Sequence, residues 1–349
     1  MSRRSRRPTT RRRRTTTSLG GLILVALLIL ILSWGSDLID RLSPTPTPTS
    51  VPDGSGVVGI FVEPDDGRKP ILDELTAARR SVDLQVYLLS DNEIINALIA
   101  ADRRGVRVRV MLEENPFGGP GNQPAIFARL EDNGVEVRWS PDPYRFAHIK
   151  TFVIDDAVAI IMNLNLTKSA FTGNREFAAI TTRPAEVAVA EAIFEADWAG
   201  SADPPDGDLV VSPSSSRREL LDLIEGAQTS LDIYAEVVRD AEAVVALADA
   251  AERGVGVRLI VPNEKDEDLR AVLFRLIDDD VAVRTLPGLY VHAKLIVADE
   301  RIAFIGSQNF TATSLDKNRE LGLLVNDPAL LRRLDQTFES DFAAGRPFA

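Results

Sequence analysis

The two histidines of this 349-residue chain, His148 and His292, are each followed two positions later by a lysine. Side chains two residues apart on a β-strand point to the same face, so the spacing predicts an imidazole beside an ammonium group. A compact cation suits a phosphate oxygen, and a neutral imidazole next to it can attack phosphorus. Only six lysines accompany 34 arginines, yet Lys150 and Lys294 occupy these two positions. The pattern predicts phosphoryl chemistry carried out by both segments.

The similarity between the two segments continues downstream at the same offset of 144 residues. The matched pairs are Asp155 with Asp299, Asn165 with Asn309, Arg175 with Arg319, and Glu176 with Glu320. The second copy completes an H-x-K-x4-D-x6-G-S-x-N pattern, whereas the first has Met162-Asn163 where the second has Gly306-Ser307. Two copies at a fixed offset indicate an internal duplication.

This duplicated pattern strongly resembles the two motifs of the phospholipase D superfamily, and the resemblance covers roughly residues 57–343. It implies that the copies meet at a pseudo-twofold axis and build one active site. One histidine would attack a phosphodiester to give a phosphohistidine, while the other protonates the leaving alcohol and then activates water or an acceptor alcohol. The two roles need opposite protonation states at one pH. The resemblance alone favours His148 as the nucleophile, and the sequence leaves the assignment open.

The resemblance also assigns the remaining motif residues. The candidate catalytic set is His148, Lys150, Asp155, His292, Lys294 and Asp299. Asn165, Ser307 and Asn309 are candidates to bind the phosphate, with both lysines stabilising its growing charge without a metal. Glu176 and Glu320 are candidates to orient the imidazoles and stabilise their charge. Asp155 and Asp299 follow their histidines by seven residues, an odd spacing that favours support of the strand end over chemistry.

Four neighbouring positions carry further expectations. Asn163 can still donate a hydrogen bond through its amide, and Met162 is expected to narrow the first half of the site. Phe146 and Tyr290 precede the histidines by two residues, and core packing is preferred to substrate stacking for both.

Both halves alternate apolar strands with helices, the pattern of an α/β fold. The predicted strands are Val57–Val62, Val82–Leu88, Val106–Leu112, Leu209–Val211, Leu231–Val237 and Val255–Val261, with buried strands at 148–154 and 292–298. The predicted helices are Ile71–Arg80, Glu93–Arg104, Arg218–Ala227 and Ala241–Arg253. We expect two tandem phospholipase D-like domains at 57–200 and 208–345, each a mixed sheet flanked by helices. The upstream offset of 149 places about five extra residues in the loop 115–122, which is either a plain surface loop or part of the substrate entrance.

The N-terminal segment predicts a membrane anchor. Residues 1–17 form a basic tail, and the uncharged stretch Thr15–Ser36 would span roughly 33 Å as a helix, enough to cross a bilayer core of about 30 Å. A single transmembrane helix at 18–36 is preferred to a cleaved signal peptide, because no A-x-A-type site follows Trp34. The positive-inside rule places the N-terminus in the cytoplasm and the body outside the cell membrane. The Pro/Thr-rich linker 37–56 then acts as a short stalk.

Composition narrows the function. The chain has no cysteine and two histidines, so neither thiolate catalysis nor a Cys/His metal centre is predicted, and no cofactor is expected. Residues 15–349 carry a formal charge of −20, which disfavours nonspecific binding to polyanions. The preferred function is a metal-independent phosphodiesterase of phospholipase D type that hydrolyses or transfers phosphatidyl groups, acting as a monomer on phospholipid. The alternative is a membrane-anchored endonuclease, which alone would bind nucleic acid, and a third reading is a noncatalytic surface binding module.

Overall fold

Strands and helices alternate in both halves of the protein, as the hydrophobic pattern predicts. The structure, a computed structural model, describes residues 57–119, 121–201, 203–263 and 265–349. The elements of the first half are β1 Val57–Glu63, α1 Lys69–Ala77, β2 Ser81–Val86, α2 Asn92–Arg103, β3 Arg107–Leu112, α3 Gln123–Glu131, β4 Glu136–Trp139, β5 Lys150–Ile154, β6 Val158–Met162, β7 Asn174–Thr181 and α4 Pro184–Ala199.

The second half repeats this series and adds to it. Its elements are β8 Leu209–Ser212, α5 Ser216–Gly226, β9 Ser230–Ala235, α6 Ala241–Glu252, β10 Gly256–Val261, α7 Glu267–Asp278, β11 Ala282–Thr285, β12 Tyr290–Val291, β13 Lys294–Ala298, β14 Ile302–Gly306, α8 Ala312–Asp316, β15 Glu320–Val325, α9 Pro328–Ala344 and β16 Arg346–Pro347. The additions are β12, α8 and β16. The predicted strands and helices are confirmed to within a few residues. The histidine segments differ, because β5 and β13 begin at the lysines and not at the histidines.

Each half contains one mixed sheet with the same strand order. The first runs β1-β7-β6-β5-β2-β3-β4, and the second runs β8-β15-β14-β13-β9-β10-β11-β16. Along these two strand orders, β2-β3-β4 and β9-β10-β11 are parallel while the other neighbours are antiparallel, and β12 of the second half adds to β7 as a parallel strand. This confirms the α/β fold with two similar domains and mixed sheets. The exact domain boundaries remain predictions.

Local sequence explains where several helices begin. The helices α2, α6, α7 and α9 each follow an aspartate whose carboxylate accepts hydrogen bonds from backbone N–H groups of the first turn. These caps, Asp91, Asp240, Asp266 and Asp327, satisfy donors that have no partner inside the helix. The helices then direct apolar faces, such as Ile94, Leu98 and Ile99 of α2, onto the sheet.

The core consists of three apolar clusters, one of which is shared between the halves. Two of the clusters are local: each lies between the sheet of one half and the helices of the same half. The third combines strand residues of both sheets, including Phe177 and Leu295, with residues of α4 and α9 such as Ile193 and Phe338. Burial of this shared cluster holds the two sheets together, because separating them would return its apolar surface to water.

The predicted N-terminal tail, anchor and linker, residues 1–56, lie outside the described residues. Among the residues that the structure describes, no helix combines the length and apolarity needed to cross a membrane.

A buried carboxyl group on β1 sits beside the glutamate of the first motif. Glu63 pairs with Glu176 in the register of β1 and β7, and its side chain is fully buried. Neither of its carboxyl oxygens accepts a hydrogen bond of normal geometry within the described residues, and the nearby Gly67 amide compensates only partly. Burial raises the pKa of Glu63 to about 7, and the neighbouring charges of Asp66 and Glu176 add to this effect.

We predict that Glu63→Gln stabilises the protein at alkaline pH. The folded pKa of about 7 lies above the ordinary 4.5, so the folded state binds the extra proton and wild-type stability falls as pH rises from about 4.5 through 7. The variant carries no such charge, and its free energy of unfolding should exceed that of the wild type by roughly 2 to 3 kcal/mol above pH 7. Urea denaturation of the full chain between pH 5 and 8.5 measures this, with the exposed Glu131→Gln as control. Equal pH dependence in both variants would contradict the prediction.

Candidate active site

The segment before each histidine crosses to the opposite half and pairs with the chain there. The strand β12 lies parallel to the start of β7, and Ala147 forms the reciprocal bridge with Arg319, just before β15. Backbone hydrogen bonds run from His292 N to Arg175 O at 3.3 Å and from Arg319 N to Phe146 O at 2.9 Å. Each histidine is therefore held beside the strand that carries the glutamate of the other half.

The histidines bond to these glutamates across the boundary between the halves. His148 Nδ1 lies 2.8 Å from Glu320 Oε2, and His292 Nδ1 lies 2.7 Å from Glu176 Oε2. Both carboxylates are fully buried. A carboxylate at Nδ1 favours the tautomer with its proton there, which leaves Nε2 of each imidazole for chemistry. The sequence predicted glutamates that orient the imidazoles without indicating which glutamate serves which histidine.

The second oxygen of each glutamate is also bonded. Asn174 Nδ2 donates to Glu176 Oε1 at 2.9 Å, and Asn318 Nδ2 donates to Glu320 Oε1 at the same distance. Ser314 Oγ adds a 2.6 Å bond to Glu320 Oε1. Neither asparagine was predicted from the sequence, although each begins an Asn-Arg-Glu triplet and the two triplets are 144 residues apart. The triplets fix the carboxylates and thereby the two rings.

Each motif lysine bonds back to the carbonyl of its own histidine. Lys150 Nζ donates to His148 O at 2.5 Å, and Lys294 Nζ donates to His292 O at 2.6 Å. Both side chains are almost completely buried. These bonds hold each ammonium group close to its imidazole, as the two-residue spacing predicted.

The halves differ at the position that follows β2 and β9. In the first half this residue is Tyr87, whose ring stands edge-on to the His148 ring at 4.7 Å and 5.0 Å from Lys150 Nζ. In the second half it is Glu236, whose Oε2 lies 2.7 Å from Lys294 Nζ and 3.6 Å from His292 Nε2. Neither residue was predicted from the sequence, because both lie outside the motifs and follow the upstream offset of 149 residues.

Burial and charge shift the proton affinities of the site in different directions. Burial lowers the pKa of His148 to about 4, although the Glu320 carboxylate opposes this shift. Burial lowers the pKa of Lys150 to about 7. For Glu236, burial raises the pKa, but its interactions with Lys294 and His292 outweigh burial and hold the pKa well below its usual range. The first half thus carries a neutral imidazole and the second an ionised carboxylate.

The asparagine and serine candidates have unequal positions. Asn165 and Asn309 are half-buried, and the Oδ1 atom of each is buried without a hydrogen-bond partner among the described residues. The Ser307 hydroxyl is fully buried and bonds the backbone of Leu321 on β15, accepting from N at 3.1 Å. The structure therefore gives Ser307 a contact that ties two strands together, in place of the expected open donor.

The substitution of Met162-Asn163 for Gly-Ser has a structural explanation. Asn163 Oδ1 accepts from Phe177 N at 2.8 Å, the bond that Ser307 makes in the second half. Its amide nitrogen reaches Lys294 O at 3.4 Å and not the open site. Met162 packs into the helix-side core of the first half, so the expectation that it narrows the site is wrong. Glycine is required at Gly306 because an added Cβ would lie 2.5 Å from the Phe304 ring.

The two motif aspartates lie away from the imidazoles, in the hairpin turns after β5 and β13. From the rise of a strand, Asp155 lies roughly 16 Å along the chain from Lys150. Each carboxylate accepts hydrogen bonds from three successive backbone N–H groups: Arg79, Arg80 and Ser81 for Asp155, and Gln228, Thr229 and Ser230 for Asp299. Their inclusion in the candidate catalytic set needs correction, and the supporting role that their spacing favoured fits these contacts.

The matched arginines form buried ion pairs with the final helix of the opposite half. Arg175 binds Asp341 of α9 at 2.7 Å, and Arg319 binds Asp197 of α4 at 2.6 Å. The aspartates are themselves 144 residues apart. These reciprocal ion pairs stabilise the positions of the strands that carry Glu176 and Glu320.

The loop after β3 reaches the first half of the site. Glu113 accepts from Ala147 N at 2.7 Å, next to His148, and Phe117 N donates to the Tyr87 hydroxyl at 2.5 Å. The Phe117 side chain is 89% exposed. For the described residues of the loop 115–122, these contacts favour a place at the substrate entrance over a plain surface loop.

Tyr290 is not a core residue. Its side chain is 49% exposed, and its hydroxyl donates to Glu236 Oε1 at 3.2 Å, so the predicted core packing is wrong. Phe146 is half-buried and packs edge-on to Tyr87 at 6.0 Å. Phe146 therefore contacts the tyrosine ring that stands edge-on to His148, and Tyr290 contacts the carboxylate beside His292.

One acidic group among the described residues has the geometry to hold a cation. The carboxylates of Asp232, Asp335 and Glu339 lie within 4.8 Å of one another. Arg258 already binds Asp232 at 2.6 Å and Glu339 at 2.7 Å, which supplies the countercharge. This group is separate from the histidines.

Comparison with known proteins agrees with the duplication. The family described as "Cardiolipin synthase, PLD-like domain" matches residues 71–198 and 220–342. A cardiolipin synthase of Alkalihalophilus pseudofirmus is 27% identical over 301 residues, which are 72% of this chain and 59% of that protein. The chain thus spans about three fifths of this relative's length.

Two solved structures share the fold. A polyphosphate kinase from Porphyromonas gingivalis superposes with a TM-score of 0.65 at 18% identity, covering 82% of this chain and 47% of the kinase. A phosphatidylserine synthase from Haemophilus influenzae superposes with a TM-score of 0.64 at 14% identity, covering 82% of this chain and 87% of the synthase.

We predict that His148 remains neutral down to about pH 4. The chain has only two histidines, so imidazole ¹H–¹⁵N spectra of the full-length protein contain two ring systems, and His292→Gln assigns them. Because Glu320 raises the pKa of His148, Glu320→Gln should lower this pKa further. A His148 midpoint near the ordinary 6.5, unchanged by Glu320→Gln, would contradict the prediction.

Proposed function

Because the chain belongs to the phospholipase D superfamily, through two copies of the PLD-like domain of cardiolipin synthases, we propose that it transfers phosphatidyl groups between alcohols through a phosphohistidine. The observation that carries this proposal is the pair of reciprocal His–Glu bonds, each accompanied by a buried lysine. Two imidazoles that both leave Nε2 for chemistry suit a two-step displacement at phosphorus. Hydrolysis follows when water replaces the acceptor alcohol.

The two histidines take different roles in this proposal. His148 is the nucleophile, because its lowered pKa keeps the ring neutral and its Nε2 lone pair available. Its Nε2 attacks phosphorus, and His292 donates a proton to the departing headgroup oxygen as the P–O bond breaks. In the second step an acceptor hydroxyl gives its proton to His292 and attacks phosphorus, which breaks the P–N bond to His148. The enzyme returns to its starting protonation state.

The remaining site residues stabilise charge and geometry. Lys150 and Lys294 lie beside the two rings and would balance the negative charge that grows on the phosphoryl oxygens. The amides of Asn165 and Asn309 are the candidates to complete phosphate binding. Glu176 and Glu320 hold the rings and stabilise the imidazolium form. Asp155 and Asp299 support the hairpin ends without touching the phosphate.

Three observations support a lipid substrate. The body from residue 15 onwards carries a formal charge of −20, which opposes the approach of a polyanion. The exposed Phe117 stands on the loop that contacts Tyr87, where an apolar side chain can enter a lipid surface. The relatives named above include lipid synthases, so they give no support to the endonuclease alternative.

The proposed cellular setting follows from the segment before residue 57. A single helix at 18–36 would anchor the protein in the cell membrane with its N-terminus in the cytoplasm, and the linker would hold the body near lipid headgroups outside. Both motifs lie in one chain, so a monomer suffices for activity.

We predict that headgroup release depends on both histidines and not on added metal. The full-length chain is incubated with phosphatidylglycerol and phosphatidylcholine vesicles in EDTA, and released headgroup, phosphatidic acid and cardiolipin are measured. His148→Ala and His292→Ala should each lower turnover by at least about a thousandfold, since each removes a group that reacts in both steps. Asp155→Asn is the matched motif control and should retain much more activity. Plasmid nicking without lipid turnover would overturn the proposal.

We predict that Phe117→Ser weakens action on membranes selectively. The side chain is almost fully exposed and its loss should not disturb the core. Turnover of phosphatidylglycerol vesicles should fall several-fold, whereas turnover of a monomeric short-chain phosphatidylglycerol should stay unchanged. Phe274→Ser, a change at a 40% exposed position on α7, serves as control. An equal loss on both substrates would contradict a role at the lipid surface.

A further inference from the structure

The two halves of the site are chemically unequal at a single matched position. Tyr87 follows β2 and Glu236 follows β9, 149 residues later. The tyrosine offers an aromatic edge to His148, whereas the glutamate places a third carboxylate beside the motif residues. The proposed reaction gives roles to both histidines, both motif lysines, two asparagines and two glutamates, and it leaves Glu236 without a role.

The contacts of Glu236 aim its carboxylate at the acid–base side of the site. Its Oε2 atom bonds Lys294 Nζ at 2.7 Å and lies 3.6 Å from His292 Nε2, the nitrogen that exchanges protons with substrate. Its Oε1 atom accepts from the hydroxyl of Tyr290, whose side chain is half exposed. The carboxylate is therefore ionised, fixed at one oxygen by a buried cation, and approached from the open side at the other.

This geometry constrains the alcohol that enters in the second step. An acceptor hydroxyl must lie within hydrogen-bond reach of His292 Nε2 to lose its proton there. At that place it is also close to the Glu236 carboxylate. A second hydroxyl on the adjacent carbon of the acceptor can then donate to Glu236, since hydrogen bonds to a charged acceptor are stronger than those between neutral groups.

Charge narrows the acceptor further. Lys294 and Glu236 form an ion pair beside His292, so an acceptor that carries a full charge of either sign meets a like charge of this pair. Because Lys294 already balances the Glu236 charge, the carboxylate acts mainly as a hydrogen-bond acceptor. Uncharged neighbouring hydroxyls satisfy all of these conditions.

We propose that Glu236 is the residue that selects and positions the acceptor, by binding the second hydroxyl of a vicinal diol while the first transfers its proton to His292. This inference rests on the proposed phosphatidyl transfer. The first hydroxyl oxygen forms the new bond to phosphorus, the P–N bond to His148 breaks, and the proton moves to His292 Nε2. Glu236 keeps its charge throughout and neither gains nor loses a bond to phosphorus.

The test is a competition for one intermediate. The full-length chain receives phosphatidylglycerol vesicles with equal concentrations of 1,2-propanediol and 1-propanol, and mass spectrometry measures the two phosphatidyl esters and phosphatidic acid. Both alcohols capture the same phosphohistidine, so the diol-to-propanol ratio does not depend on how fast the intermediate forms. We expect the wild type to favour the diol and Glu236→Gln to lower the ratio about tenfold, the scale of one charge-assisted hydrogen bond.

Matched variants separate this role from a structural one. Tyr87→Phe changes the corresponding position of the first half and should leave the ratio unchanged, whatever its effect on total turnover. Glu236→Asp keeps the charge beside Lys294 but withdraws the carboxylate by one methylene, and it should lower the ratio even if the glutamine variant folds poorly. The inference is wrong if Glu236→Gln or Glu236→Asp forms both esters at the wild-type diol-to-propanol ratio. A wild-type chain that forms no ester and no phosphatidic acid would instead overturn the proposed function, and the inference with it.

Discussion

The reciprocal bonding of each imidazole to a carboxylate of the opposite half is the constraint on which the site depends. Neither half alone contains a histidine with its orienting glutamate. The crossing segments at Ala147 and β12 bring the pairs together, and the shared apolar cluster and the Arg175–Asp341 and Arg319–Asp197 ion pairs keep them there. Buried ion pairs lose much of their Coulombic gain to desolvation, so we expect these two to fix the positions of α4 and α9 against the opposite half more than to add stability.

Much of the fold and the candidate site could be predicted from sequence because the signals repeat. Alternating apolar segments located the strands and helices, and matched spacing located His148, His292 and their lysines. The same spacing could not say whether Glu176 serves the histidine of its own half, because that depends on how the sheets pack. The odd separation of Asp155 from His148 predicted its supporting role correctly, because the carboxylate lies at the far end of the strand and accepts backbone hydrogen bonds there.

Other features could not be predicted because they arise only from three-dimensional packing. In the sequence, Ser307 resembles a residue that donates a hydrogen bond to phosphate. In the structure, its hydroxyl instead accepts a hydrogen bond from Leu321 N on the adjacent strand. Tyr290 precedes its histidine by two residues and was predicted to pack in the core, yet it stands half exposed on the segment that crosses to the other half. Tyr87 and Glu236 escape notice because the loop insertion changes the offset between the halves, and their importance comes from neighbours distant in the chain.

The difference between Tyr87 and Glu236 bears on why both halves occupy one polypeptide. A homodimer of identical half-chains would have to place the same residue at both positions, and its two histidines would share one environment. Covalent fusion lifts that requirement, so each copy accumulates substitutions independently while the reciprocal contacts are retained. In the proposed transfer, the substrate therefore meets Tyr87 on the His148 side and Glu236 on the His292 side, which converts a symmetric scaffold into a directional one.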